Sequence, residues 1–380
     1  MCRMKEIRME HGAGGEKMRE LLNLILNYFV RSAEVRLAEE GKERSEMLEA
    51  SVRVGDKVGM RSAVEVSLED MDDAAVVEGV VFTTDSYTVK PLFFPGGDIG
   101  SLAIAGTVND ISVMGASPLC ISVAFVIEEG FPMRDFERIL ESIRKTCEEA
   151  GVEIVTGDTK VVEKGAVDRM IVTTSAVGKS SEALKRNFEE VRKFREVKRE
   201  WLLDSNIREG DAIIVSGYIG DHGVALLAAR EGISFHADVK SDVAPLNKMI
   251  EGALEEGGIV AMKDPTRGGL SNALNEFAAK SGVGIIIEEE KIPVRASVRN
   301  ACEMLGIDPL EIGNEGKVVL AVVKKKAEAV LDALKQDKRG RDAEIIGYAT
   351  KDVKGVVMKT CVGSQRIVEP PVGDPVPRIC

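Results

Sequence analysis

The stretch AAVVEGVVFTTDSYTVKPLFFPGGDIGSLAIAGTVNDISVMGASP, residues 74–118, decides the fold. Its opening twelve residues, 74–85, read as a β-hairpin that ends at an acidic turn. Residues 96–115 are rich in Gly, Ala and Ser. Small residues let backbones approach, so this part reads as a buried helix packed closely on its neighbours.

Upstream lies a loop, HGAGG, at residues 11–15. A helix follows it, with Met18, Leu21, Leu22, Ile25 and Phe29 at helical spacing on one face. Residues 33–50 are highly charged and read as a solvated helical insertion, and 52–66 as a weak hairpin. Downstream, 121–127 is a strand. Residues 134–150 form a helix with Phe136, Ile139, Leu140, Ile143 and Cys147 inward, stopped by Gly151. A short strand, 153–156, runs into GDTK, and 170–177 is another strand.

Residues 181–206 are dense in Lys, Arg and Glu around Phe188, Phe194 and Trp201, and read as a domain connection extended into a charged helix. The second half is a loose echo of the first. Strands are expected at 212–216, 284–287, 317–323 and 344–348, and helices at 224–230, 246–255, 298–305 and 327–334. The loop KDPTRGG, 263–269, precedes a further helix through Phe277. Strands alternating with helices in two similar halves imply an α/β protein. The expected domains are 1–180, a connection at 181–206, 207–366, and a tail at 367–380.

The tail, IVEPPVGDPVPRIC, carries Pro370, Pro371, Pro375 and Pro377. It can be neither a helix nor a central strand. At about 3.1 Å per residue, such an extended arm reaches roughly 40 Å. It ends on the thiol of Cys380.

Composition narrows the function. The 380 residues carry a formal net charge of −12, which argues against a nucleic acid or an anionic membrane as partner. Aromatic residues are 4% of the chain, too few for base-stacking platforms. None of the six Cys forms a CxxC pair, so no zinc site is legible and free thiols in a reducing compartment are expected. No apolar run approaches the roughly 20 residues of a membrane span, and a cytoplasmic protein is expected.

Four acidic turns stand out: Asp72–Asp73, Asp85 in TTDS, Asp110 in VND and Asp158 in GDT. Any one is an ordinary turn residue. Together they are a candidate Mg²⁺ set, because converging carboxylates need a cation and phosphates complete its shell. Glycine-rich loops lie at Gly12, Gly14 and Gly15, at Gly220 and Gly223, and at Gly268 and Gly269. Each reads either as an anion cradle at a helix start or as a flexible turn. None matches a Walker A or dinucleotide fingerprint. Lys160 and Arg267 are cations beside these loops, placed to contact phosphates. Glu315 stands just before a strand, in NEGK. His11 and His222 sit beside glycines and read as backbone caps rather than catalysts.

Read together, HGAGG, DDAAV, FTTDSYTVKPLFFPGGDIG, LAIAGTVNDISVMGASP, IVTGDTKVVEKGAVD, IVSGYIGDHG, TRGG, GNEGKVVLAVV and the final PRIC resemble the HypE family of hydrogenase maturation proteins. This family belongs to the superfamily of aminoimidazole ribonucleotide synthetase and selenophosphate synthetase. The resemblance implies a two-domain PurM-like α/β (α+β) fold. Its N-terminal domain would pair into a dimeric β-barrel, with ATP beside it. It also implies a reaction: a partner carbamoyltransferase, HypF, loads a carbamoyl group onto Cys380, and ATP drives its dehydration to a thiocyanate. The cyanide then passes through a HypC–HypD scaffold to the iron of a [NiFe] hydrogenase.

On this resemblance Asp73, Asp85, Asp110 and Asp158 would hold Mg²⁺-ATP, with Gly12, Gly14, Gly15, Thr159 and Arg267 on the nucleotide. Lys160 and Glu315 would handle protons, Lys160 either as a base or as a phosphate-orienting cation. The sequence departs from the family in HGAGG where HGSGG is usual, in DPTRGG where DATRGG is usual, and in longer charged insertions. Two rival readings stand: a superfamily kinase or synthetase acting on a free small molecule, and a non-enzymatic carrier that only presents Cys380. The first gives the Pro-rich arm no purpose, and the second makes the acidic turns accidental. A selenophosphate-type enzyme would need a reactive residue near the first Gly loop, and Cys2 stands outside that motif.

Overall fold

The structure, a computed structural model, describes Ile7 and residues 15–29, 63–232, 239–373 and 375–380. The expected insertion at 33–50, most of the hairpin at 52–66, and Gly12 and Gly14 lie outside the described residues. The first half of the chain gives α1 (Gly15–Phe29), β1 (Val64–Val66), β2 (Ala75–Val77), β3 (Val80–Tyr87), β4 (Phe93–Phe94), β5 (Gly97–Asp98) and α2 (Ile99–Val113). It continues with β6 (Ala116–Glu128), α3 (Met133–Ala150), β7 (Glu153–Val162) and β8 (Met170–Ser180). After α4 (Glu182–Arg192) come β9 (Ala212–Val215), α5 (Asp221–Glu231), α6 (Asn247–Glu256), β10 (Ile259–Lys263), α7 (Gly269–Ser281) and β11 (Gly284–Glu288). The last elements are α8 (Ala296–Leu305), β12 (Val319–Val322), α9 (Ala327–Gln336), β13 (Glu344–Thr350), β14 (Val356–Lys359) and β15 (Gln365–Val368).

These strands make two main sheets, in the orders β1-β2-β3-β8-β6-β7 and β10-β12-β9-β13-β11-β14-β15. Most neighbours are antiparallel. The exceptions are β6 with β7 and β11 with β14, which run parallel. The hairpin read at 74–85 forms as β2 and β3, with Val77 opposite Val80. Helices α2 and α3 pack on one face of the first sheet. Among the described residues that sheet does not close, and β7 stands at its edge.

The Gly/Ala/Ser stretch forms α2, nearly all of it buried. Its start is fixed by a capping box. The Asp98 carboxylate accepts from the Gly100 and Ser101 amides, and the Ser101 hydroxyl reaches back to Asp98. Gly106 lets the helix sit on β3, since a Cβ there would lie 2.3 Å from the Tyr87 hydroxyl. Helix α3 ends at Gly151 in the left-handed region, as read. Its apolar stripe is narrower than expected, though. Ile139, Ile143 and Cys147 are buried, whereas Leu140 lies on the exposed rim.

Three expectations need correction. The strand at 153–156 does not stop before GDTK. Its pairing with β6 runs on past Ala124 opposite Asp158, because Thr159, Val161 and Val162 continue a β-prone run. The charged helix read within 181–206 has a buried apolar face. Ala183, Leu184, Phe188 and Val191 of α4 are buried, and only the opposite face presents Lys185, Arg186 and Glu189. The second sheet is also larger than expected. β10 is buried at every position and so lacks an alternating pattern, and β14 and β15 follow where the domain was read as closing. Among the described residues no helix is long and apolar enough to cross a membrane.

Candidate functional site

Three elements of the first domain bring carboxylates to one place: Asp73 ahead of the hairpin, Asp85 in β3 and Asp110 in the last turn of α2. A fourth, Asp264, follows β10 of the second sheet. The Thr83 hydroxyl lies 2.9 Å from Asp110 Oδ2 and 3.2 Å from the Asp73 carbonyl oxygen. Tyr87, held against α2 at Gly106, donates to Asp85 Oδ2 at 3.2 Å. Lys263 Nζ stands 2.9 and 3.1 Å from the two Asp73 oxygens.

Burial pushes the Asp110 carboxyl well up, and the charges of Asp85, Asp264 and Asp73 push it further. Asp264 is pushed up to about 8, by burial first and then by Asp73, with Lys263 opposing. Crowded carboxylates of this kind hold protons until a cation replaces them. Hard oxygen donors in this setting fit Mg²⁺. Among the described residues no three such side chains are drawn tight enough to hold a metal alone.

Next to these carboxylates is a cavity of about 510 Å³. Met18, Leu22, Ile25 and Leu26 of α1 give it an apolar wall, while Arg19, Asp72, Asp73, Lys263, Asp264, Arg267 and Lys280 supply polar groups. An apolar wall with a few convergent polar groups is the usual make-up of a cofactor-sized site. Gly15 is at the lip, where the tail passes close: a Cβ on it would lie 1.9 Å from the Pro371 carbonyl oxygen.

Near Asp264 and Asp85 lies Glu315, only 3% exposed, its Oε1 buried and without a hydrogen-bond partner among the described residues. Its amide donates to Asp242 Oδ1 at 3.1 Å, which fixes the backbone. Burial holds its carboxyl well above the usual range, and Asp264 and Asp242 add to this, while Arg267 works the other way. The Arg267 guanidinium is in turn stabilised first by the charge of Cys380, then by Asp85 and Glu315. Arg267 is therefore the cation that the chain end at Cys380, Asp85 and Glu315 have in common.

The tail, read as an extended arm, bends over 375–378 and is seated on the first domain. The Thr88 amide donates to the Cys380 backbone oxygen at 3.1 Å, and the Lys90 amide donates to the Arg378 carbonyl at 3.2 Å. Arg378 Nε donates back to the Thr88 carbonyl at 2.8 Å, and its Nη1 lies 2.6 Å from Asp168. Val376 and Ile379 are buried.

Asp158, Thr159 and Lys160 are not brought to this place. They lie on the exposed edge strand β7, where Lys160 Nζ pairs with Asp158 at 2.8 Å and the Asp158 side chain is 62% exposed. The hydrogen bond from Lys160, then that from the Thr159 amide, lowers the Asp158 carboxyl. Several residues of the site were not singled out in the sequence. Asp264 was visible in KDPTRGG but stood next to the more conspicuous Arg267. Lys263 and Tyr87 have no local signature, since their roles come from packing between elements. His222, read as a backbone cap, does meet a backbone group, but that of Ile379, 3.0 Å from its Nε2.

The chain matches two domain families. They are the AIR synthase related protein N-terminal domain over residues 71–180 and its C-terminal domain over 208–359. It is 48% identical to a putative hydrogenase expression/formation protein of Methanocaldococcus jannaschii, over 99% of this chain and 100% of that one. It is 46% identical to a carbamoyl dehydratase HypE of Rhizobium leguminosarum bv. viciae, over 79% and 82%. Among solved structures, it resembles one of a HypE–HypF complex, with a TM-score of 0.74 at 48% identity over 80% of this chain and 95% of that one. It also resembles HypE in complex with ATP, with a TM-score of 0.72 at 43% identity over 79% and 87%.

Proposed function

The chain belongs to the HypE family of hydrogenase maturation proteins, and from that premise we propose that it is an ATP-dependent carbamoyl dehydratase acting on its own Cys380. The reaction would turn an S-carbamoyl group into a thiocyanate, the source of the cyanide ligands of a hydrogenase iron. The observation that carries this reading is the seating of the chain end on Thr88, with Arg267 feeling both the charge at Cys380 and that of the buried Glu315.

The chemistry follows from the groups present. A carboxamide loses its oxygen poorly as hydroxide. Transfer of the γ-phosphoryl group to the carbamoyl oxygen makes phosphate the leaving group. Arg267, which feels the charge at Cys380, would supply fixed positive charge for the phosphate that forms. Two nitrogen protons must leave: one goes to solvent as the phosphoryl group bonds to oxygen and the C=N bond forms, and Glu315, buried and strengthened as a base, takes the second as the C–O bond breaks, phosphate departs and the nitrile forms. Asp73, Asp85, Asp110 and Asp264 would hold Mg²⁺, which when bound neutralises phosphate charge. The cavity beside them would take ATP, and the ATP complex of a 43%-identical relative supports this.

Asp158 and Lys160 complete the site, in this reading, from a second copy of the chain. They stand on an exposed sheet edge together with the exposed Ile154, Val155 and Val161. A dimer that joins such edges would close the open sheet into a barrel and bury those side chains. HypF would load the carbamoyl group, supported by the HypE–HypF complex of a 48%-identical relative, and a HypC–HypD scaffold would receive the cyanide in the cytoplasm.

Replacing Glu315 tests the assignment. Glu315→Gln should bind ATP as tightly as the unsubstituted chain, yet release phosphate from the carbamoylated form at least ~100-fold more slowly. Undiminished phosphate release would remove Glu315 from the proton-transfer step.

A further inference from the structure

The last residues of the tail are held by more than their covalent tether. Ile379 is 3% exposed, and its side chain rests on two glycines. A Cβ at Gly313 would come within 2.8 Å of Ile379 Cδ1, and one at Gly223 within 3.4 Å. Ile312 and the fully buried Val376 crowd the same point. The crevice thus has room for a branched aliphatic side chain only because its floor has no side chains.

His222, next to Gly223 in the first turn of α5, grips the adjoining carbonyl. Its Nε2 lies 3.0 Å from the Ile379 oxygen and its Nδ1 lies 2.7 Å from Ser241 Oγ. A carbonyl only accepts, so Nε2 carries the proton and Nδ1 accepts from the serine hydroxyl. Phe94 meets the wholly buried ring edge-on at 5.4 Å, which fixes its plane.

From these contacts we infer that the crevice between Gly223 and Gly313 is a specificity pocket for the side chain preceding the reactive thiol, and that His222 is a positioning residue for the adjoining carbonyl. The inference rests on the reading that Cys380 carries the reacting group. A tether alone leaves a long arm sampling many positions, and reaction then depends on the fraction of time spent in one geometry. An anchor one residue from the thiol removes most of that freedom. Isoleucine or valine would fill the pocket. Alanine would leave it empty, and a bulkier side chain would collide with its floor.

Hydrogen exchange tests the pocket in the full chain, without ATP and without a carbamoyl group. The Thr88 and Lys90 amides donate to tail backbone oxygens, so their protection reports seating directly. Ile379→Ala should speed their exchange at least about tenfold, while Ile379→Val should stay within about threefold of the unsubstituted chain. His222→Asn should move in the direction of the alanine variant. Unchanged protection in Ile379→Ala would overturn the pocket.

Dehydration in the carbamoylated chain supplies the second arm. Ile379→Ala should lower kcat at saturating ATP without changing the KM for ATP, and valine should restore it. Faster exchange with an unaltered rate would overturn the positioning role. An unsubstituted chain that failed to dehydrate would instead count against the function proposed above, and the exchange result would still judge the pocket.

Discussion

Asp264 shows at the scale of one residue what the site is built to receive. Its carboxyl, pushed up to about 8 from an ordinary 3.8, keeps a proton in the folded chain that the unfolded chain has lost. The metal-free protein should therefore lose stability as pH rises from about 4 towards 8. A cation takes the place of that proton, so Mg²⁺ should bind more tightly at pH 8 than at pH 6, by up to about tenfold per unit, and expel protons. Calorimetry in buffers of different ionisation enthalpy measures both effects. Weaker binding at pH 8 would mean that these carboxylates are not the ligands. The sequence singled out Asp73, Asp85, Asp110, Arg267 and Glu315 by their acidic or glycine-flanked settings, although Asp85 lies within β3 and Asp110 within α2 rather than at turns. It could not show Lys263 on Asp73, or Tyr87 on Asp85, since those contacts arise only when separate elements pack.

At the scale of the element, α2 and β7 differ in how much their residues disclose. Helix α2 was legible because small and apolar residues on every side leave it no alternative to burial. Its capping box makes a direct prediction. Asp98→Ala removes the acceptor for two amides and should lower stability by about 1–2 kcal/mol, as read from urea unfolding. Asp110 rides in the last turn of the same helix, so the variant should also bind Mg²⁺-ATP more weakly. Strand β7 was misread as short because GDT has the composition of a turn. Pairing with β6 overrides that local preference and turns a supposed loop into an edge. The same pairing carries Asp158 and Lys160 away from the carboxylates of their own chain.

The whole molecule then poses the question of where Asp158 and Lys160 act. If they serve the site of a second copy, two inactive variants should complement each other. Lys160→Ala mixed with Glu315→Ala would form mixed dimers in which one site has both residues intact. About a quarter of the full dehydration activity should return. No recovery after subunit exchange, verified by native mass spectrometry, would confine each site to one chain. The α/β character was legible from the alternation of strands and helices. The seat of the tail was not, because it depends on glycines, a histidine and an arginine far apart in the sequence.

The most direct measurement follows the C-terminal peptide of the carbamoylated chain by mass spectrometry after Mg²⁺-ATP is added. Loss of one water from Cys380, matched by one phosphate released and absent in Cys380→Ala, is the predicted result. A carbamoyl group that persists at Cys380 while ATP is bound would contradict the account and leave the chain a carrier of its thiol.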